Sequence, residues 1–249
     1  MIARVFVFIL VFISAVSALH ATSIVILRSP TRVYIGADSR REYRNASGFY
    51  PGSVCKIVPA GNLFFVASGL TYANDENVAD IGVEAGRGGA SVLSAIEIFR
   101  SRMQEFLPRA LTAEGELRQS LNASRNGLVL ESGFVGIQDG LATVSVEWYR
   151  RNGTAVTPRV TTDRRTYSSA TPGRYDFIFL GKRRAIDQYL GGRMPLVRGD
   201  SDAVALITRL IEVEAAESPD TTAPPIDIVE LDPSGSRWLQ RKLACADSD

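Results

Sequence analysis

The chain has 249 residues, of which 45% are apolar and 22% charged, and its formal net charge is +1. This balance favours a chain that folds around a hydrophobic core and excludes an intrinsically disordered one. It also provides no basic field for nucleic acid. The two cysteines are too few for a disulfide-rich scaffold or for a zinc site built from four thiolates.

The first 21 residues have the pattern of a secretory signal peptide. Arg4 supplies a positive charge, residues 5–19 are almost entirely apolar, and small residues stand at the two candidate cleavage positions, Ala18 and Ala21. A bilayer-spanning helix needs about 20 apolar residues, more than this stretch provides. The pattern therefore predicts a periplasmic or secreted protein, with an uncleaved membrane anchor at residues 5–19 as the alternative.

The single histidine of the chain, His20, lies in this leader. A chain that begins at Thr22 has no histidine, which excludes Ser-His-Asp and Cys-His catalysis and any metal site with a histidine ligand. We expect no metal and no cofactor, so a hydrolytic base would have to be a carboxylate, a lysine or the α-amino group. Export would also allow Cys55 and Cys245 to pair, although the sequence leaves their pairing open.

Beyond the leader, residues 22–249 are predicted to form one domain that begins with an antiparallel sheet. Runs of β-branched and aromatic residues alternate with turn residues, and Pro30 marks the first tight turn. Residues 40–53 are polar and contain glycine and proline, which predicts a loop. The strands of this first sheet are predicted at residues 23–27, 32–37, 54–58 and 63–67.

The spacing of the apolar residues then changes to that of helices. Residues 77–84 and 90–107 carry apolar residues at helical spacing, and Pro108 is expected to end the second helix. Asp139-Gly140 favours a tight hairpin between two later strands. The remaining elements are predicted as strands at 128–137, 141–149, 176–180 and 226–231 and helices at 185–190 and 203–215.

The order of these elements predicts the fold class. Strands, helices, strands, helices and a last strand follow one another without an evident linker or internal repeat. Two antiparallel sheets stacked on each other with helices outside would bury the apolar faces of all of them. The expected architecture is α+β, a four-layer αββα sandwich.

Cleavage after Ala21 would place two useful groups on one residue at the head of the first strand. The hydroxyl of Thr22 is a nucleophile, and its free α-amine would titrate at about 7.7–8. An amine in that range is suited to act as general base near neutral pH. Acyl transfer could then proceed without histidine.

Four short motifs lie in register along residues 22–70. They are Thr22-Ser23-Ile24-Val25, Ile35-Gly36-Ala37-Asp38-Ser39-Arg40, Val54-Cys55-Lys56-Ile57 and Val66-Ala67-Ser68-Gly69. Asp38 follows Thr22 by sixteen residues. In these features the chain resembles the β-type subunits of proteasomes and the related bacterial HslV protease, which are N-terminal-nucleophile hydrolases with the same threonine–aspartate spacing.

The resemblance implies a role for each matching residue. Thr22 would be the nucleophile and, through its amine, the base. Lys56 would lower the pKa of the Thr22 hydroxyl, and Asp38 would keep Lys56 charged and oriented. The backbone N–H of Ser68 or of Gly69 would stabilise the oxyanion.

The resemblance weakens in the second half of the chain. Asp220 matches a family aspartate that helps to fix the threonine amine. Ala223 then replaces a serine of the family, and Pro224-Pro225 replaces two glycines. Gly181-Lys182-Arg183 stands where the family has Gly-Ser-Gly. The resemblance thus implies that the Thr-Asp-Lys set is kept within altered surroundings.

The expected function is that of a threonine-type peptidase or amidase acting on a peptide or a small amide. One alternative is a non-catalytic structural or binding protein of the same fold, in which Asp38 and Lys56 form a structural ion pair. A small-molecule amidase of that fold is another. The resemblance implies assembly of identical subunits. An ATP-driven unfoldase is not an expected partner, because an exported protein works outside the membrane, where ATP is absent.

Overall fold

The computed structural model describes residues 22–45, 48–73, 75–113, 127–153, 158–169 and 171–245. The predicted signal peptide, residues 1–21, lies outside these ranges together with its cleavage positions. Within them, no helix is long and apolar enough to cross a membrane.

Strands outnumber helices in the described part of the chain. The strands are β1 (Ser23–Arg28), β2 (Val33–Ala37), β3 (Arg40–Asn45), β4 (Gly48–Ser53), β5 (Ile57–Ala60), β6 (Leu63–Gly69), β7 (Tyr72–Ala73), β8 (Glu76–Asn77), β9 (Leu128–Gln138), β10 (Leu141–Gly153), β11 (Pro158–Tyr167), β12 (Asp176–Gly181), β13 (Asp227–Asp232) and β14 (Gly235–Gln240). The helices are α1 (Val78–Gly88), α2 (Val92–Ala113), α3 (Arg184–Leu190) and α4 (Asp200–Glu217), and a 3₁₀ turn follows at Leu243–Cys245.

Two five-stranded antiparallel sheets form the centre of the fold. Sheet I has the strand order β12-β1-β2-β13-β14, and sheet II has the order β11-β10-β9-β6-β5. The pairs β3–β4 and β7–β8 form separate two-stranded sheets. The predicted α+β class with antiparallel sheets is therefore confirmed.

Three buried clusters hold these layers together. The first lies between the two sheets and includes Ile24 and Ile35 of sheet I and Val66 and Val135 of sheet II. The second joins sheet II to α1 and α2, and the third joins sheet I to α3 and α4. Helices thus cover the outer faces of two packed sheets, which is compatible with the predicted αββα sandwich.

Strand β1 explains the continuous apolar run at residues 23–27. Ile24 and Ile26 belong to the cluster between the sheets, whereas Val25 and Leu27 belong to the cluster with α3 and α4. A strand that is covered on both faces has no polar side, so its sequence loses the apolar–polar alternation. The predicted hairpin with β2 is confirmed by the pairing of Ile24 with Ala37.

Two predictions about the first half of the chain are wrong. Strands β5 and β6 were expected in the same sheet as β1 and β2, but they pair with each other and with β9 in sheet II. Residues 40–53 were expected to form a loop, but they contain the paired strands β3 and β4. Hairpin formation is local, whereas the choice of sheet depends on contacts with residues far away in the sequence.

The prediction that Pro108 ends the second helix is also wrong, because α2 continues to Ala113. Proline removes one backbone hydrogen bond and crowds the preceding turn. The helix continues because Ala110 and Leu111 extend the buried face that packs on sheet II. The stabilisation gained by burying this last turn outweighs the unfavourable effect of proline inside a helix.

Cys55 and Cys245 form a disulfide, with their Cα atoms 5.8 Å apart. The bond joins the segment in front of β5 to the 3₁₀ turn after β14, across 190 residues of sequence. The pairing that the sequence left open is therefore present in the fold.

Candidate active site

The centre of the candidate site is a buried ion pair between Asp38 and Lys56. Lys56 Nζ donates to both carboxylate oxygens of Asp38, at 2.9 Å each. Asp38 follows the end of β2 and is completely buried, and Lys56 precedes β5 and is 7% exposed. The pair therefore bridges sheet I and sheet II at one end of the sandwich.

Backbone N–H groups complete the surroundings of the Asp38 carboxylate. Oδ1 accepts from Ser23 N–H at 2.8 Å, and Oδ2 accepts from Arg40 N–H at 2.8 Å and from Ala223 N–H at 3.4 Å. A carboxylate is tolerated in a protein interior when such donors and an opposite charge replace its water. These contacts hold the orientation of the carboxylate that binds Lys56.

Thr22 is held one peptide bond away from this pair. The Thr22–Ser23 peptide group donates its N–H to Asp38, as above, and its carbonyl oxygen accepts from Lys182 N–H at 2.8 Å. Thr22 is 6% exposed at the head of β1. The structure thus brings together Thr22, Asp38 and Lys56, the three residues predicted to form the core of the site.

Ser68 and Gly69, the predicted oxyanion donors, lie at the end of β6. Gly69 has a φ of 108°, and a Cβ there would lie 2.5 Å from the Val129 carbonyl oxygen, so glycine is required. Ser68 Oγ is buried and has no hydrogen-bond partner among the described residues. A Cβ on Gly181 would overlap the Thr22 carbonyl oxygen and lie 2.7 Å from Ser68 Oγ, so Thr22 and Ser68 both border Gly181.

Asp220 lies in the exposed segment after α4. Its backbone carbonyl accepts from Arg40 Nε at 3.3 Å. The segment that follows packs on the site: Ser39 N–H donates to the Ala223 carbonyl at 3.1 Å, and Ser39 Oγ donates to the Pro225 carbonyl. This segment therefore contributes backbone groups to the site.

A second buried ion pair, which the sequence did not reveal, supports the first. Lys242 Nζ lies 2.8 Å from Asp227 Oδ2 and donates to Ser39 Oγ at 2.7 Å and to the Val54 carbonyl at 2.6 Å. Lys242 thus ties the C-terminal segment to the residue after Asp38. No local pattern marks a lysine near the end of a chain for such a role.

Glu131 is another buried carboxylate that sequence reasoning missed. Oε2 accepts from Gly181 N–H at 2.5 Å, and Oε1 accepts from Trp148 Nε1–H at 3.0 Å. Burial raises the pKa of Glu131 to about 7. A signal was present, because a glutamate inside the otherwise apolar run of β9 is unusual for a buried strand.

The described residues show no metal site, and they place a cavity away from this centre. Among the described residues, no group of three or more histidine, cysteine, aspartate or glutamate side chains could hold a metal ion. A cavity of about 650 Å³ opens at the opposite end of the sandwich, where Phe64, Leu231 and Trp238 line it. Its lining includes none of Thr22, Asp38 and Lys56.

Comparison with known proteins finds no relatives that bear on this site. No protein-family model matches the chain. A search of curated proteins finds no significant match. The chemistry of the site therefore has to be inferred from its own geometry.

Proposed function

We propose that the protein is an exported threonine-type amide hydrolase of the N-terminal-nucleophile class, with a proteasome β-like fold. The observation that carries the proposal is the buried Asp38–Lys56 pair, which is tied to Thr22 through the Ser23 N–H. The αββα arrangement and the sixteen-residue spacing support it. Export is supported by the Cys55–Cys245 disulfide, because disulfides persist in oxidising compartments.

The proposed reaction uses two groups of Thr22, its hydroxyl as the nucleophile and its α-amine as the base. After cleavage at Ala21, the free α-amine of Thr22 takes the hydroxyl proton while Oγ1 attacks the amide carbonyl. The resulting oxyanion is stabilised by a backbone N–H near Ser68 or Gly69. The amide C–N bond then breaks, the departing amine takes a proton from the ammonium group, and an ester on Thr22 remains. Water, activated by the same amine, hydrolyses this ester and restores the hydroxyl.

Lys56 and Asp38 have supporting roles in this scheme. The charge of Lys56 stabilises the ionised hydroxyl and so lowers its pKa. Asp38 holds the Lys56 ammonium in place with both oxygens, and its backbone donors prevent it from turning away. Because both side chains are buried, little water screens the effect of the charge on Thr22.

The first test is the identity of the mature N-terminus and the effect of changing it. We expect N-terminal sequencing to find Thr22 as residue one. Thr22→Ala should reduce turnover of fluorogenic peptides and small amides to background, whereas Thr22→Ser should retain part of it, because serine keeps a hydroxyl beside an α-amine.

A reagent that acylates hydroxyl nucleophiles provides the control. A peptide β-lactone should add its mass to the N-terminal peptide of the wild type but not of Thr22→Ala. Equal turnover by wild type and Thr22→Ala would refute the proposal. Correctly processed wild type that neither turns over any substrate of a broad panel nor reacts with the lactone would favour the non-catalytic alternative.

A further inference from the structure

The carboxylate of Glu131 is not used by the chemistry proposed above. Glu131 is 6% exposed and lies directly opposite Ser68 in the pairing of β9 with β6. Val135, four residues further along β9, belongs to the cluster between the sheets, so Glu131 points to the same side. This carboxylate therefore lies between the sheets, at the end of the sandwich that holds Thr22.

Two hydrogen bonds link Glu131 to Thr22 through the backbone of Gly181 and Lys182. Glu131 Oε2 binds Gly181 N–H at 2.5 Å, and the next N–H, that of Lys182, binds the Thr22 carbonyl at 2.8 Å. Gly181 has a φ of 83° and leaves no room for a Cβ between Thr22 and Ser68. The Gly181–Lys182 turn, at which β12 ends, is thus packed tightly against the carbonyl of Thr22, and its bond to that carbonyl extends the pairing of β12 with β1.

We propose that Glu131 is a positioning residue for Thr22: it holds the Gly181–Lys182 turn, and that turn holds the Thr22 carbonyl. The inference rests on the proposed function, since it assigns a role in orienting the nucleophile. The Thr22–Ser23 peptide group is then fixed from both sides, by Asp38 at its N–H and by the turn at its oxygen. Such double fixation holds the Thr22 backbone in place, and with it the Cα atom that carries the hydroxyl side chain.

The ionised carboxylate of Glu131 holds the Gly181–Lys182 turn and the Trp148 indole at the same time, one with each oxygen. Burial raises the pKa of Glu131 to about 7, against the lowering effects of the Gly181 N–H, the Trp148 indole and the guanidinium groups of Arg183 and Arg150. Arg183, which follows the turn, and Arg150 of β10 are the charged side chains that lower this pKa, and β6 presents the uncharged Ser68. In the processed protein the α-amine of Thr22, the residue that the turn contacts, is a further group that titrates, at about 7.7–8. Below the pKa of Glu131 one oxygen carries a proton and stops accepting, so either the indole or the turn loses its acceptor.

The test reads the position of the turn by NMR, without using catalysis. The chain has three lysines and two tryptophans, so the processed protein labelled with ¹⁵N-lysine and ¹⁵N-tryptophan gives few signals. Trp238→Phe assigns the indole of Trp148. We expect this indole and the Lys182 amide to titrate together with a midpoint near pH 7. The Lys242 amide, which binds Asp227 instead, should not share that transition.

Two variants decide whether Glu131 causes the transition. Glu131→Gln should abolish it at both signals, whereas Glu230→Gln should leave it unchanged. Glu230 is a matched control, because it is 4% exposed but pairs with Arg237 at the far end of β13. A Trp148 signal that titrates while the Lys182 amide stays constant would overturn the proposal, as would a transition shared by both signals that survives in Glu131→Gln.

A second variant covers the case in which Glu131→Gln does not fold. Glu131→Asp keeps the charge but shortens the side chain, and it should move the midpoint of both signals by the same amount. An unchanged midpoint in a folded Glu131→Asp protein would contradict the proposal.

Turnover adds a readout that separates this inference from the proposed function. Glu131→Gln should lower kcat at pH 8 by about tenfold, the effect of one lost hydrogen bond, and leave KM within about twofold. The dependence of kcat on the ionisation of Glu131 near pH 7 should disappear, whereas the dependence on the Thr22 α-amine at about 7.7–8 should remain. A wild type without any turnover would refute the proposed function, whereas the NMR titration would still decide whether Glu131 holds Thr22.

Discussion

At the scale of single residues, the Asp38–Lys56 pair has a structural role, and the proposed function gives it a chemical role as well. Both side chains are buried, and neither would be stable there without the other. The same contact can therefore serve an inactive relative as well as an enzyme. Separating the two roles requires variants that recover the stability of the fold without restoring the charge of Lys56.

Asp38→Asn and the double variant Asp38→Asn/Lys56→Met make this separation. Asp38→Asn leaves the Lys56 ammonium buried without a counter-charge, so the free energy of unfolding should fall by about 3–5 kcal/mol. The double variant removes the second charge and should recover more than half of that loss. Urea denaturation measures both effects.

Turnover by the same variants tests the chemical role of the pair. We expect the double variant to be as inactive as Asp38→Asn although it is more stable. Recovery of turnover together with stability would show that the pair is only structural. The single variant Lys56→Met is the control for loss of the lysine charge alone, because Asp38 keeps its backbone donors in that protein.

At the scale of elements, β2 and α4 approach each other closely at Gly36. A Cβ on Gly36 would overlap Ile207 Cγ2 of α4 and contact Ile211 Cδ1 at 3.6 Å. Gly36 belongs to the motif that contains Asp38, so its lack of a side chain sets how near α4 lies to the strand that carries the site. Gly36 is thus needed for the packing of α4 against β2.

Gly36→Ala should lower the free energy of unfolding by about 1–3 kcal/mol through overpacking. Adding Ile207→Ala removes the methyl group that the new Cβ would strike, so the double variant should cost less than the sum of the single changes. Gly88→Ala at the end of α1 is the control, because a Cβ there meets only Ile98 Cδ1 at 3.6 Å. Strictly additive losses in urea denaturation would contradict this account.

Local elements were predictable from the sequence, and their assembly was predictable only in part. The β1–β2 hairpin follows from two apolar runs around Pro30, and the β9–β10 hairpin from Asp139-Gly140, where both residues have positive φ. Which sheet receives β5 and β6 was not predictable, because the pairing of β6 with β9 joins residues as far apart in the sequence as Phe64 and Val135. Strands β11 and β14 also escaped prediction, and their exposed faces carry no apolar alternation.

The candidate site divides in the same way. Thr22, Asp38 and Lys56 are predictable from a spacing and from two strand ends, and the structure brings them together. Lys242 and Glu131 are positioned by tertiary contacts alone, through Asp227 and Gly181. A sequence pattern describes only the residues that lie near one another along the chain. Lys242 and Glu131 contact residues that are distant in the sequence.

At the scale of the whole molecule, the C-terminal segment closes the fold around the site. After β14, Lys242 binds Ser39 and Asp227, and Cys245 forms a disulfide with Cys55, the residue before Lys56. The segment therefore fastens the residues that follow Asp38 and those that precede Lys56. Sheet I and sheet II are joined here by covalent and ionic links as well as by their shared apolar cluster.

Cys55→Ser should consequently reduce stability while leaving hydrolysis largely intact. Opening a loop that spans 190 residues should cost about 2–5 kcal/mol, since the unfolded chain regains the freedom that the bond removed. Turnover at 25 °C should persist, because the Asp38–Lys56 contact does not involve either sulfur. The double variant Cys55→Ser/Cys245→Ser controls for the thiol that the single change leaves behind.

Urea denaturation with and without a reductant separates the two consequences. The reductant should lower the midpoint of the wild type to that of the double variant and should have no effect on the double variant itself. If the folded Cys55→Ser protein loses as much turnover as Thr22→Ala, the disulfide has to be counted among the groups that position Lys56. If reduction leaves the wild-type midpoint unchanged, the C-terminal segment is held by Lys242 and its ion pair rather than by the covalent link.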